Sequence, residues 1–177
     1  IMEIKNKIIT DYEKLAELIK AQQILGNNVV CTIGSWDMLH IGHLRYLNTA
    51  KQQGDILVVG VDSDRAIKIY KKNSLRPVIP EEERMEMLSY QSFVDYVTII
   101  DDVDEKGDWE MNILRKVNPD IFVAIEESYP KEQREKIEKL CGEMKLLERQ
   151  AENTSTSDII EKTFKKRLEH ILSNIKL

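Results

Sequence analysis

Two of the chain's three histidines stand three residues apart, in Thr32-Ile33-Gly34-Ser35-Trp36-Asp37-Met38-Leu39-His40-Ile41-Gly42-His43. The apolar, β-branched run before them reads as a buried strand and the periodicity after them as a helix, so the pair falls where a strand hands over to a helix. Residues three apart at a helix start share one face, Gly42 lets backbone approach closely, and free amides with the helix dipole add positive potential. That combination suits an anion. Imidazoles that donate to phosphate oxygens stabilise charge as it builds in an in-line displacement at phosphorus, with little covalent chemistry asked of the protein. The competing reading makes both histidines polar residues that pack a turn.

The elements that must position this pair follow from the rest of the pattern. A helix is expected over residues 11–25, through Leu15, Leu18 and Ile19, with a stop at Gly26. Residues 28–33 and 55–61 read as strands joined by a helix over 43–53, which makes a strand, helix, parallel strand unit. Residues 80–89 open on a proline and three acids, the bias of a helix N-terminus, and lead into a strand over 94–100. A short helix at 110–117 stops at Asn118-Pro119 before a strand at 120–125, followed by an amphipathic segment over 131–141 and a short strand at 143–147. From residue 156 onward Ile159, Ile160, Phe164, Leu168 and Ile171 or Leu172 recur at helical spacing. Such alternation predicts an α/β fold, a single-domain, doubly wound Rossmann-like parallel sheet with helices on both faces. Its ligands bind outside the carboxyl ends of the strands.

The chain's 177 residues suit one domain, and 42% hydrophobic with 32% charged residues is a globular balance. No apolar run reaches the roughly 18 residues of a membrane span. The first residues lack a signal-peptide pattern and Cys31 and Cys141 lie far apart, so a cytoplasmic setting is expected. A net charge of −5 argues against nucleic acid or acidic membranes as partners, and an anionic ligand then needs a local positive pocket. His170 and the two cysteines lack the paired spacing of a zinc site, so no protein-held metal is expected. Magnesium would arrive with a triphosphate.

The run GSWDMLHIGHLRYLNTAKQQGDILVVGVDSD resembles the first half of the HxGH nucleotidylyltransferases, the group that includes glycerol-3-phosphate cytidylyltransferase and the adenylyltransferase half of the ADP-heptose synthesis enzyme. RPVIPEEERMEML is similar to a stretch after the second strand of the heptose enzymes, and Asn153-Thr154-Ser155-Thr156-Ser157-Asp158-Ile159-Ile160 to their second nucleotide-binding signature. The resemblance implies a nucleotidylyltransferase domain over about 29–160, a leading helical segment at 1–28 and a C-terminal helix at 161–177 packed on the domain or extending from it.

By that resemblance Gly34, Ser35, Trp36 and Gly42 line the triphosphate and His40 and His43 are the central catalytic pair. Asp37 orients the loop, meets the acceptor, or is a plain turn carboxylate. Lys68 and Lys71 fall where related enzymes carry lysines for phosphates and acceptor. Lys68 is grouped with the catalytic histidines and Lys71 with the acceptor. Arg84 supports the nucleotide site, the alternative being a solvent-facing pair with Glu81. Arg149 with Thr154, Ser155, Thr156 and Ser157 forms the second half of the phosphate clamp, although capping of the helix they precede competes for the same hydroxyls. Two departures stand out: Glu126-Glu127-Ser128-Tyr129 replaces a Gly-Gly-Asp-Tyr-like turn, and the spacing from Arg149 to Thr154 is one residue longer than in the cytidylyltransferases; Asp108-Trp109-Glu110, conversely, resembles the glycerol-3-phosphate enzymes. The implied reaction moves a nucleoside monophosphate from a triphosphate, ATP before CTP, onto a phosphorylated acceptor. A sugar 1-phosphate such as a heptose ranks before glycerol 3-phosphate. A nucleotide-binding module without catalysis is the reading of another class. The apolar face of the last helix suggests a homodimer, or simply core packing.

Overall fold

The computed structural model describes residues 4–71, 75–151 and 154–175. Five strands, β1 (Val29–Gly34), β2 (Ile56–Asp62), β3 (Tyr96–Ile100), β4 (Ile121–Ile125) and β5 (Glu143–Leu147), form one sheet in the order β3-β2-β1-β4-β5. Every pairing is parallel, with Ile33 opposite Gly60 and Asp62 opposite Ile100. The chain winds outward from β1 to one edge and then returns to lay β4 on its other side. The β1/β4 boundary is therefore the switch point where a crevice opens outside the strand ends.

Both faces of the sheet are covered, because successive side chains of a strand point to opposite sides. Val29 and Cys31 pack on one face with Leu15 and Ile19 of α1 (Tyr12–Ile24), Leu114 of α5 (Asn112–Val117) and Ile137 of α6 (Lys131–Glu138). Val30 packs on the other with Leu47 and Ala50 of α2 (Ile41–Lys51) and Leu88 of α4 (Glu81–Ser89). Leu47 is fully buried, and truncating such a side chain to alanine costs roughly 2–5 kcal/mol. The leading helix is thus part of the core, while the last helix, α7 (Thr156–Ile175), exposes Phe164, Leu168, Ile171, Leu172 and Ile175.

Three boundaries depart from the sequence expectation. A helix, α3 (Asp64–Lys71), forms where no element was predicted, started by the Ser63 hydroxyl accepting the Ala66 N–H at 2.9 Å and held by buried Ala66 and Ile67. The helix α5 begins at Asn112 rather than at 110, since Met111 takes φ 62°. At the chemical centre, α2 starts at Ile41 because His40, in extended geometry, is its N-cap.

Candidate active site

The loop from β1 to α2 is held in a conformation it would not keep alone. Trp36 and Met38 have φ of 49° and 51°, in the left-handed region that costs a side-chain-bearing residue energy. Three anchors compensate. The buried Trp36 indole N–H donates to the Gly60 carbonyl at 2.8 Å. Asp37, fully buried, accepts from Arg76 Nε at 2.6 Å and from the Val78 and Ile79 amides at 3.0 Å. Arg84, also fully buried, donates to the carbonyls of Ile79, Ser35 and Asp62 and to the Asp64 carboxylate at 2.6 Å. The contacts of Asp37 are those of loop orientation, not of an acceptor ligand. Arg84 neither faces solvent beside Glu81 nor lines the cavity; it braces the loop from behind.

That bracing aims the histidines into a cavity of about 620 Å³, a volume typical of small-molecule sites. His40 Nδ1 accepts the Gly42 amide at 3.2 Å, so in the neutral ring the proton sits on Nε2, free to donate outward. His43 stacks on it with ring centroids 3.8 Å apart and meets the Trp36 edge at 5.5 Å. Its Nδ1 is buried without a hydrogen-bond partner among the described residues. Burial, then the charges of His40 and Arg76, pull His43 down to about 3, against a small opposing effect of Asp37. Burial and Arg149 lower His40 as well. Both rings are neutral near pH 7. Gly42 keeps this corner uncrowded: a Cβ would stand 3.0 Å from the His40 ring and from Ala151, so one of them would have to shift.

A second wall comes from the start of α7. Arg149 and residues 154–157 line the same cavity as the histidines. Their hydroxyls, however, are partly spoken for. Ser155 caps the helix, its hydroxyl donating to Asp158 at 2.6 Å and accepting the Asp158 amide at 3.1 Å. The buried Thr156 hydroxyl donates to the Asp37 carbonyl at 2.8 Å and ties α7 to the histidine loop. Capping and cavity lining therefore coexist, and what this wall offers an anion is the Arg149 guanidinium, the helix N-terminus and the hydroxyls of Thr154 and Ser157.

On the third wall the sequence marks Lys71, Trp109 and the turn at 126–129, but not Asp62 or Tyr70. Asp62 at the end of β2 and Tyr70 on α3 line the cavity, the Tyr70 hydroxyl donating to the Asp62 carboxylate at 2.7 Å. Lys71 lies 5.4 Å over the Tyr70 ring. Trp109 and Tyr129 complete this wall, their rings 6.1 Å apart. Lys68 is exposed and does not line the cavity. The Glu126–Ser128 segment forms a 3-10 turn at the rim, with Glu127 and Ser128 facing in. The signal for Tyr70 in the sequence is its spacing from Ala66 and Ile67 on one helix, which the polar residues around them mask.

The cytidylyltransferase-like family model matches residues 31–162, the span that carries all three walls. A bifunctional protein HldE from Syntrophotalea carbinolica is 34% identical over 152 residues, 85% of this chain and 30% of that protein. Its counterpart from Campylobacter fetus subsp. fetus is 41% identical over 109 residues, 62% of this chain and 22% of the relative. The chain thus spans about a third or less of the length of these relatives. A lipopolysaccharide core biosynthesis protein from Thermoplasma volcanium superposes with a TM-score of 0.55 at 29% identity, over 70% of this chain and 98% of that one. No helix among the described residues is long and apolar enough to cross a membrane. Two stacked imidazoles at the switch point of a parallel sheet, faced by the start of a later helix, agree with the family match: the chain belongs to the cytidylyltransferase-like family of nucleotidylyltransferases.

Proposed function

We propose that the chain transfers a nucleoside monophosphate, AMP before CMP, from its triphosphate to a sugar 1-phosphate of the heptose kind, in the cytosol. One observation supports this above the others: His40, His43, Arg149 and the start of α7 all line one cavity at the sheet's switch point. An acceptor phosphate oxygen attacks the α-phosphorus in line, the bond to the bridging oxygen breaks, and pyrophosphate leaves. The nucleophile is already anionic near neutral pH, so no strong base is required. The N–H groups of His40 and His43 stabilise the charge that gathers on phosphate oxygens, and Arg149 and the α7 terminus hold the polyphosphate. Gly34, Ser35 and Trp36 shape the floor, and Lys71 serves the acceptor phosphate in preference to Lys68. Magnesium enters bound to the triphosphate, the usual way this ion reaches phosphate chemistry. The sugar-phosphate preference is supported by the HldE relatives. The second reading, CTP with glycerol 3-phosphate, is favoured by Trp109 in the cavity wall.

Pyrophosphate release from ATP, CTP, GTP and UTP, each paired with heptose 1-phosphate, a hexose 1-phosphate or glycerol 3-phosphate, tests the proposal. Release with ATP and a sugar 1-phosphate supports it, and release only with CTP and glycerol 3-phosphate selects the second reading. Nucleotide binding without release from any pair leaves a binding module and overturns both.

A further inference from the structure

The three walls of the cavity differ in chemistry. The histidine and α7 walls gather positive potential and orphan amides, as a polyphosphate needs. The wall from β2 and α3 offers neither: it carries a carboxylate, phenolic hydroxyls and an indole face. The Asp62 carboxylate is engaged through Oδ2 by Tyr70, its only side-chain hydrogen bond among the described residues, and the cavity is where Oδ1 can find a partner. The Tyr129 hydroxyl has no hydrogen bond among the described residues, and its ring packs against Trp109 and Phe122. A fixed carboxylate can accept from two neighbouring hydroxyls at once, and aromatic rings cover the C–H faces of a sugar.

We propose that Asp62, oriented by Tyr70, reads a pair of adjacent hydroxyls on the acceptor, so that the acceptor is a polyhydroxylated phosphate and not an alkyl or amino-alkyl phosphate. The inference rests on the transferase reading above but adds a residue and a selection rule to it. Asp62 is suited to the task because it is built into the end of a central strand, with its own carbonyl held by Arg84 at 2.8 Å. Burial lifts its carboxyl to about 6, while Tyr70, Arg84 and Lys71 pull the other way, so near pH 7 the group is mostly the ionised acceptor that two hydroxyls need. Removing a group built to pair with substrate hydroxyls erases discrimination, because the wild-type site leaves its polar atoms unpaired with an analogue that lacks them.

The test uses glucose 1-phosphate, heptose 1-phosphate, ethyl phosphate and phosphoethanolamine. Calorimetric binding to the protein saturated with a non-hydrolysable ATP analogue is measured alongside pyrophosphate release with ATP. The wild type is expected to bind at least one sugar phosphate about thirtyfold or more tighter than ethyl phosphate. In Asp62→Asn that ratio should fall below about threefold, with acceptor KM raised and the KM for ATP changed less than about twofold. Tyr70→Phe, which leaves the carboxylate in place but frees it to swing, should fall between them. A ratio unchanged in both variants overturns the role of Asp62 even if transfer proceeds. Tight discrimination without turnover keeps it while sinking the transferase reading. A wild type that binds no sugar phosphate better than ethyl phosphate overturns it outright.

Discussion

Two helix starts face the same cavity, and they are held in opposite ways. The first turn of α2 is locked from every side: His40 caps it, His43 stacks on His40, Trp36 is pinned to Gly60, and the loop beneath is clamped by Asp37, Arg76 and Arg84. The first turn of α7 caps itself through Ser155 and Asp158, and its buried side-chain hydrogen bond to the rest of the molecule is Thr156 to the Asp37 carbonyl. Beyond it, residues 161–175 are exposed throughout. Under the proposed function, that difference divides the work. Charge that develops in a transition state is best met by groups that need no reorganisation, which describes α2; a substrate that must enter and leave needs a wall that can yield, which describes α7. Asp37 joins the two, its carboxylate holding one start and its carbonyl receiving the other.

The hardest blow to this comparison should fall on that joint. Asp37→Ala leaves Arg76 buried without its partner and two amides without their acceptor, and breaking a buried pair from one side costs roughly 3–5 kcal/mol. Urea unfolding measures it. A loss below about 1 kcal/mol, the range of exposed ion pairs, would mean the loop does not depend on the clamp. Next in size is His40→Gln. Loss of one preorganised donor lowers kcat by about 10²–10³, while calorimetric affinity for ATP changes by less than about threefold. Equal losses in affinity and turnover would show that α2 grips the ground state and that the contrast with α7 is mistaken.

How much of this was legible beforehand follows from distance along the chain. His40, Gly42 and His43 are neighbours in sequence, so their spacing alone shows a site, and the strands declare themselves by β-branched runs that the sheet buries on both faces. Asp62, Tyr70, Arg76 and Tyr129 meet only because β2, α3 and the turn after β4 end on one side of the sheet, and no local spacing encodes that. The polar, lysine-rich face of α3 hid its two buried residues, and with the helix unread Tyr70 had no face to belong to. Arg84 illustrates another limit. An arginine among glutamates on a helix reads as surface, and only the path of the Ser35 loop turns it into a fully buried brace.

A smaller effect is expected at the yielding wall. Thr156→Val keeps the volume and removes the donor to the Asp37 carbonyl, at a cost of about 1–3 kcal/mol for the buried acceptor left behind. If α7 serves binding, the cost appears as a KM for ATP raised about fivefold or more, with kcat reduced less than in His40→Gln. A fall in kcat with KM unmoved would place α7 beside α2 as a transition-state element.

The last comparison separates the two starts by pH. His43, buried at the α2 start, titrates near 3 in the folded protein and near its ordinary 6.5 unfolded, so between those values the unfolded chain holds more protons. Its contribution is complete above about pH 6.5 and is lost as pH falls toward 3, with a slope no steeper than about 1.4 kcal/mol per pH unit. Asp158, at the α7 start, is also lowered, chiefly by the Ser155 hydroxyl, and has the same sign, but it stands near the surface where solvent screens it. Asp62 has the opposite sign: its carboxyl, lifted to about 6, holds more protons when folded, so between about pH 4 and 6 it offsets part of the loss. His43→Gln should therefore flatten the acid limb of stability, leaving His40, which is lowered by burial and Arg149, opposed by Asp62 between about pH 6 and 4. Asp158→Asn should leave it nearly as it was. Urea midpoints from pH 7 to 4 give the comparison, and an acid limb that survives in His43→Gln but disappears in Asp158→Asn would mean that the tightly held start is α7 and not α2.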